Sequence, residues 1–105
     1  MICGDLFNDG VIQRIRRVRP DVLLHPMARC FADGSNSQDR WDSDEVSTYA
    51  MRAKAAGTTT LTVNYLADVT LNGGGFGGAW VFGPTGEAID QFPLGREGVL
   101  IAEAG

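Results

Sequence analysis

The chain has 105 residues, of which 44% are hydrophobic, 21% charged and 9% aromatic, the make-up of one ordinary globular domain and not of a disordered chain. A formal charge of -4 argues against a nucleic-acid or anionic-membrane surface, because polyanion binding rests on an excess of phosphate-neutralising Lys and Arg. No apolar run approaches the roughly 20 residues that span a bilayer, and Met1-Ile2-Cys3-Gly4-Asp5 lacks the layout of a secretion signal, so the expected location is cytoplasmic.

Two cysteines, Cys3 and Cys30, are too few for a disulfide scaffold and lack metal-ligand spacing. Each is a nucleophile or a small buried residue, and neither a metal nor a cofactor is expected. After Ile2-Cys3, the residues Val11, Ile12, Ile15 and Val18 have the spacing of one helix face, with Asn8 or Asp9 as its cap. Arg14, Arg16, Arg17 and Arg19 fall late in this helix, where cations suit the negative end of its dipole, and read as a solvated face. Pro20 closes it, because the residue before a proline is pushed out of the helical region.

Val22-Leu23-Leu24, bounded by Pro20 and Pro26, reads as a buried strand, and strand, helix and strand together make a βαβ unit. Cys30 sits in a loop that continues through Asp33-Gly34-Ser35-Asn36-Ser37-Gln38. A second helix is expected from about Asp42 to Ala56, with Ser43 as its cap, Val46, Tyr49, Ala50 and Ala53 on one face, and Gly57 at its end. Strand periodicity then takes over in Thr58 to Leu66, Ala79 to Phe82, Glu87 to Phe92 and Gly98 to Ala102, with Pro84-Thr85-Gly86 as a hairpin turn. The glycine run from Asn72 to Gly78 is followed by a strand and not by a helix N-terminus. It therefore reads as close backbone approach or a mobile loop, not as a phosphate cradle.

Five segments in order carry a family resemblance: Ile2-Cys3-Gly4-Asp5-Leu6, Asp21-Val22-Leu23-Leu24-His25-Pro26, Trp41 with Met51-Arg52-Ala53-Lys54-Ala55, Thr62-Val63-Asn64, and Phe76-Gly77-Gly78-Ala79 with Pro84-Thr85-Gly86-Glu87. The chain resembles the C-terminal half of the carbon-nitrogen hydrolase (nitrilase) superfamily. That resemblance implies an α/β fold, part of an α-β-β-α sandwich, with two helices and about five or six strands in a single domain over residues 1–105. It also implies a cysteine that attacks a nitrile or amide carbon, assisted by a glutamate and a lysine, to give a thioester that water hydrolyses. A thiolate is the active nucleophile, and the developing oxyanion needs a fixed positive group or donors.

On this resemblance Cys3 stands at the nucleophile position, while Asp5, Trp41 and Asn64 match positions near the substrate pocket. Their structural alternatives are a turn bond for Asp5, a helix anchor for Trp41 and a strand-end cap for Asn64. His25, the sole histidine, is either a base beside Cys3 or a histidine satisfied by loop backbone. Lys54, the sole lysine, does not match the family's catalytic lysine. The family's glutamate and lysine lie upstream of the cysteine, so the expectation is a half-domain without amidase or nitrilase activity alone. It would work as a homodimer through an uncovered sheet face, or with an N-terminal half on another chain. The alternative is a small thiol-dependent hydrolase or acyl-transfer enzyme.

Overall fold

The computed structural model describes residues 3–28, 38–65, 77–94, 96 and 98–102, without the side chains of Cys3, Arg40 and Asp44. The expected Met1-Ile2 strand stub, the Cys30 loop and most of the glycine run lie outside the described residues. A 3-10 turn, Cys3–Phe7, leads into helix α1, Asp9–Val18. The Asn8 side chain caps α1 by accepting from the N–H groups of Gly10 and Val11 at 2.9 and 3.2 Å, which satisfies two donors the helix leaves open. The helix ends at Arg19 in the left-handed region, φ 54°. Ile12 is buried and Ile15 packs against the core, whereas Val18, expected on the same face, is 74% exposed where the chain leaves the helix.

Strand β1, Val22–Met27, follows. The second helical stretch is longer than the periodicity predicts: a turn of α2, Gln38–Arg40, a π segment, Trp41–Glu45, and helix α3, Val46–Ala56. Ser43 is therefore inside the stretch and not its cap, and its hydroxyl donates to the Asp39 carbonyl one turn back. Gly57 ends α3 at φ 72°, as expected of a helix-terminating glycine.

Strands β2, Thr59–Asn64, β3, Gly77–Phe82, and β4, Ala88–Leu94, complete a four-stranded sheet of order β1-β2-β3-β4. β1 and β2 are parallel, joined by the helical crossover, and the other two pairs are antiparallel. The turn at Pro84-Thr85-Gly86 makes the expected β3–β4 hairpin, closed by the Gly83 N–H on the Glu87 carbonyl at 2.8 Å. Gly98–Ala102 joins no ladder, so the expected last strand is absent and four strands stand among the described residues. Gly78, at φ 93°, shows the close approach expected of the glycine run: a Cβ there would lie 2.6 Å from the Trp80 ring and 2.7 Å from Leu94.

One sheet face is covered by helices. Leu23, His25 and Met27 of β1 register with Thr60, Thr62 and Asn64 of β2, and all six are buried beneath Leu6, Ile12, Trp41, Tyr49, Ala53 and Ala56. The opposite face carries Leu24, Leu61, Val63 and Ala79, and Leu24 and Val63 are 64% and 55% exposed. Among the described residues no helix is long and apolar enough to cross a membrane.

Candidate functional site

The two helices set where the Cys3 turn lies. Arg16 Nη1 donates to the Ala55 carbonyl at 2.7 Å near the C-terminal ends of α1 and α3, from which the chain enters β1 and β2. Arg52, in the middle of α3, donates by Nε to the Leu6 carbonyl at 2.8 Å, and its Nη2 meets Asp9 Oδ1 at the start of α1 at 2.9 Å. The Cys3–Phe7 turn is thus held toward the carboxyl ends of two parallel strands, the edge where open α/β sheets place their sites. Leu6 is fully buried and anchors the turn, while Phe7 meets Tyr49 edge-on at 5.3 Å.

Beneath that turn lies an aromatic cluster. Trp41, the first residue of the π segment, stacks on Trp80 of β3 with ring centroids 4.0 Å apart, and Tyr49 of α3 packs on Trp41 at 5.2 Å. The register β1–β2–β3 puts His25, Thr62 and Trp80 in one row across the sheet. His25 is fully buried; its Nδ1 is 3.3 Å from Thr62 Oγ1, and its ring centroid is 6.4 Å from that of Tyr49. Among the described residues one partner is the hydroxyl of a neighbouring strand. Among the described residues the buried Trp80 Nε1 has no hydrogen-bond partner, and an unsatisfied buried donor of this kind costs about 1–3 kcal/mol.

The other positions singled out from the sequence divide by burial. Asn64, at the carboxyl end of β2, is buried, and its Nδ2 donates to the Gly77 carbonyl at 3.2 Å, which links β2 to the start of β3. Asp5 is exposed on the Cys3 turn, and its carbonyl accepts the Asn8 N–H at 3.0 Å. The Cys3 backbone opens that turn; its thiol, and with it the Cys3–His25 pairing considered as one alternative from the sequence, lies outside what the structure describes. Lys54 is exposed far along α3, and a Cβ on Gly86 of the hairpin turn would lie 2.9 Å from its own Cβ. Among the described residues no cluster of His, Cys, Asp or Glu has the makings of a metal site.

No protein-family model matches the sequence, and comparison with curated proteins gives no match. Solved structures do match. A carbon-nitrogen hydrolase from Helicobacter pylori superposes with TM-score 0.65 and 19% identity, over 92% of this chain and 36% of that one. The chain has part of the carbon-nitrogen hydrolase fold. A Saccharomyces cerevisiae member of branch 10 of the nitrilase superfamily superposes with TM-score 0.70 and 16% identity, over 91% of this chain and 33% of that one. The chain thus spans about a third of the length of these carbon-nitrogen hydrolase structures.

Several residues of this hydrolase-fold site carry no sequence motif. Alternation in β2 points Thr62 to the same face as Asn64, but nothing in the sequence says that the facing residue is His25, because that depends on strand register. Trp80 lies in an unbroken apolar run, where periodicity cannot assign a face. The Arg52 clamp joins residues 46 positions apart, and only the packing of α3 beside the turn creates it.

Proposed function

We propose that the chain is a carbon-nitrogen hydrolase-like unit that acts in association with another copy or chain, and that it does not hydrolyse C–N bonds alone. The observation that carries this reading is that Arg52, the cation that holds the Cys3 turn, is already engaged by protein groups. Acyl transfer to a thiol develops an oxyanion that needs a fixed positive group or donors. Lys54, the only lysine in the sequence, stands exposed on α3 beside the hairpin turn, and the Arg52 guanidinium is engaged by the Leu6 carbonyl and Asp9. His25, the only imidazole, is fully buried beneath the aromatic cluster, with its Nδ1 3.3 Å from Thr62 Oγ1.

The fold similarity supports the family reading, and the motif order from Cys3 to Glu87 supports Cys3 at the nucleophile position with Asp5, Trp41 and Asn64 around it. In this account those three keep structural duties: Trp41 fills the core, Asn64 ties two strands and Asp5 closes a turn. The unit is assigned to the cytoplasm, where both thiols stay reduced.

Addition of a thiol to a nitrile gives a thioimidate, in which the sulfur–carbon bond forms and the thiol proton passes to nitrogen, so the protein gains the full mass of the nitrile. Intact-mass spectrometry after incubation with simple aliphatic nitriles is expected to show the unmodified chain. An adduct mapped to Cys3 by peptide digestion, and missing in Cys3→Ser, overturns the proposal.

A further inference from the structure

At the end of the sheet away from the Cys3 turn, where α1 runs out into β1 and α3 into β2, lies a cleft of about 420 Å³. Ile15 and Pro20 give it apolar walls, Gly57 and Thr58 lie on its α3 side, and Arg16 and Arg19 both line it. Arg16 is held in place: its Nη1 donates to the Ala55 carbonyl at 2.7 Å and lies against Gly57, where a Cβ would come within 3.2 Å of it. That bond uses one of its N–H groups, and among the described residues no carboxylate pairs with Arg16 or Arg19. The carbonyls that end the helices are themselves occupied. The Ile15 carbonyl accepts the Arg19 N–H at 2.9 Å, and those of Ala53 and Lys54 accept the Gly57 N–H at 3.1 and 3.0 Å. Arg19 has φ 54° and ψ 59°, the left-handed region that glycine enters freely and other residues enter at a cost. Among the described residues it is the only non-glycine at positive φ, and Gly57 fills the equivalent place after α3.

We propose that this cleft binds the phosphoryl group of a small phosphorylated molecule, with Arg16 and Arg19 as its two cationic contacts. Guanidinium forks pair with phosphate oxygens in a bidentate way, and two of them balance a phosphate dianion where a single carboxylate would balance only one. The volume lies within the range of small-ligand sites, about 300–1,000 Å³, so an organic body has room against Ile15 and Pro20. Charge favours the same occupant. Four of the chain's nine basic residues, Arg14, Arg16, Arg17 and Arg19, crowd into one run without a carboxylate, in a chain whose net charge is -4. The backbone at Arg19 then has a reason: its side chain does at the cleft what a glycine could not, and the left-handed conformation is the strain carried for that. The inference does not rest on the hydrolase reading, since the cleft shares no residue with the Cys3 turn.

The test is a titration of the isotope-labelled full chain with phenyl phosphate, followed by amide NMR at constant ionic strength, beside a parallel titration with succinate. Phenyl phosphate should bind saturably and shift the Arg19 and Gly57 amides while leaving Leu6 and Phe7 of the Cys3 turn in place. Arg19→Gly should weaken that binding about tenfold or more, the loss expected when one charge-assisted contact is removed. The same variant should raise the urea midpoint, because glycine takes the left-handed conformation without the steric cost. Arg16→Lys, which keeps the charge but not the fork, should also weaken binding. Arg17→Gln removes the same charge as Arg19→Gly from outside the cleft, and should leave the affinity within about twofold. The proposal is overturned by a wild type that shows no saturable binding or takes succinate equally well. It is overturned too by an Arg19→Gly chain that binds as wild type does, or whose urea midpoint falls, since the arginine would then serve the fold and not a ligand.

Discussion

Arg52 Nε donates to the backbone carbonyl of Leu6 at 2.8 Å, so a side chain in the middle of α3 fixes the turn that opens at Cys3. The same guanidinium reaches Asp9 at 2.9 Å and lies 5.9 Å from the centre of the Phe7 ring. The arrangement joins the first turn of α1, the residues before it and the crossover helix at one group.

Arg52→Met should therefore destabilise the chain by about 1.5–3 kcal/mol, the range for a hydrogen bond from a charged donor whose partner is left unpaired. Asp9→Asn removes only the exposed ion pair and should cost under about 1 kcal/mol. Urea unfolding of both variants checks this, with hydrogen exchange at the Asn8 N–H as the local reading, since that group closes the turn on Asp5. Equal losses in the two variants would mean that the Leu6 contact contributes nothing.

The Trp41–Trp80 stack is the centre of the core, and both rings are almost wholly buried. Trp41→Ala should cost about 3–5 kcal/mol, because the cavity beneath α3 cannot collapse onto a paired sheet, and Trp41→Phe should cost less. Thermal unfolding followed by the fluorescence of the remaining tryptophan measures it. A loss below 1 kcal/mol for Trp41→Ala would show that the site is not packed as described.

These contacts show which parts of the molecule the sequence makes legible. The cap at Asn8, the end of α3 at Gly57 and the Pro84 hairpin are all readable, because each depends on local backbone chemistry, whereas the parallel pairing of β1 with β2 is not, since the sequence points to a βαβ unit made with the strand before α1. The start of the second helix is not readable either, since a π segment shifts the phase at Trp41 and makes Ser43 an interior residue. Gly98–Ala102 has the alternation of a strand, yet alternation records a half-buried surface and not a partner, and here it marks a segment lying beside a sheet face. For the site, Cys3, His25, Trp41 and Asn64 were named from motif order. The pairing of His25 with Thr62 and the Arg52 clamp are long-range contacts that follow from strand register and helix packing.

Gly86 carries φ 90°, and a Cβ there would sit 2.9 Å from the Ala50 carbonyl oxygen. Gly86→Ala should cost about 1–3 kcal/mol, from the left-handed backbone alone and from the displacement of the hairpin off α3. Gly4→Ala, with open space around it, should be near neutral. Paired denaturation curves decide the point, and equal costs would contradict the placement of the turn.

The Thr85 hydroxyl donates to the Glu87 carboxylate, and this bond, with the residue's own N–H next in weight, holds the Glu87 carboxyl below its ordinary 4.5. A lowered folded value means that the ionised form is favoured by folding. The contribution is present above the unfolded value and is lost as pH falls through the folded one. Carboxyl titration by NMR should show Glu87 moving back toward 4.5 in Thr85→Ala and remaining low in Thr85→Ser. An unchanged midpoint in Thr85→Ala would assign the shift to another cause.

The central claim is that the chain has the hydrolase fold and lacks hydrolysis of its own. Ammonia release from simple amides, nitriles and carbamoyl compounds tests it most directly, measured over a wide range of chain concentration. The account predicts no release above buffer at any concentration, for wild type and Cys3→Ser alike, whereas turnover by wild type that disappears in Cys3→Ser would contradict it.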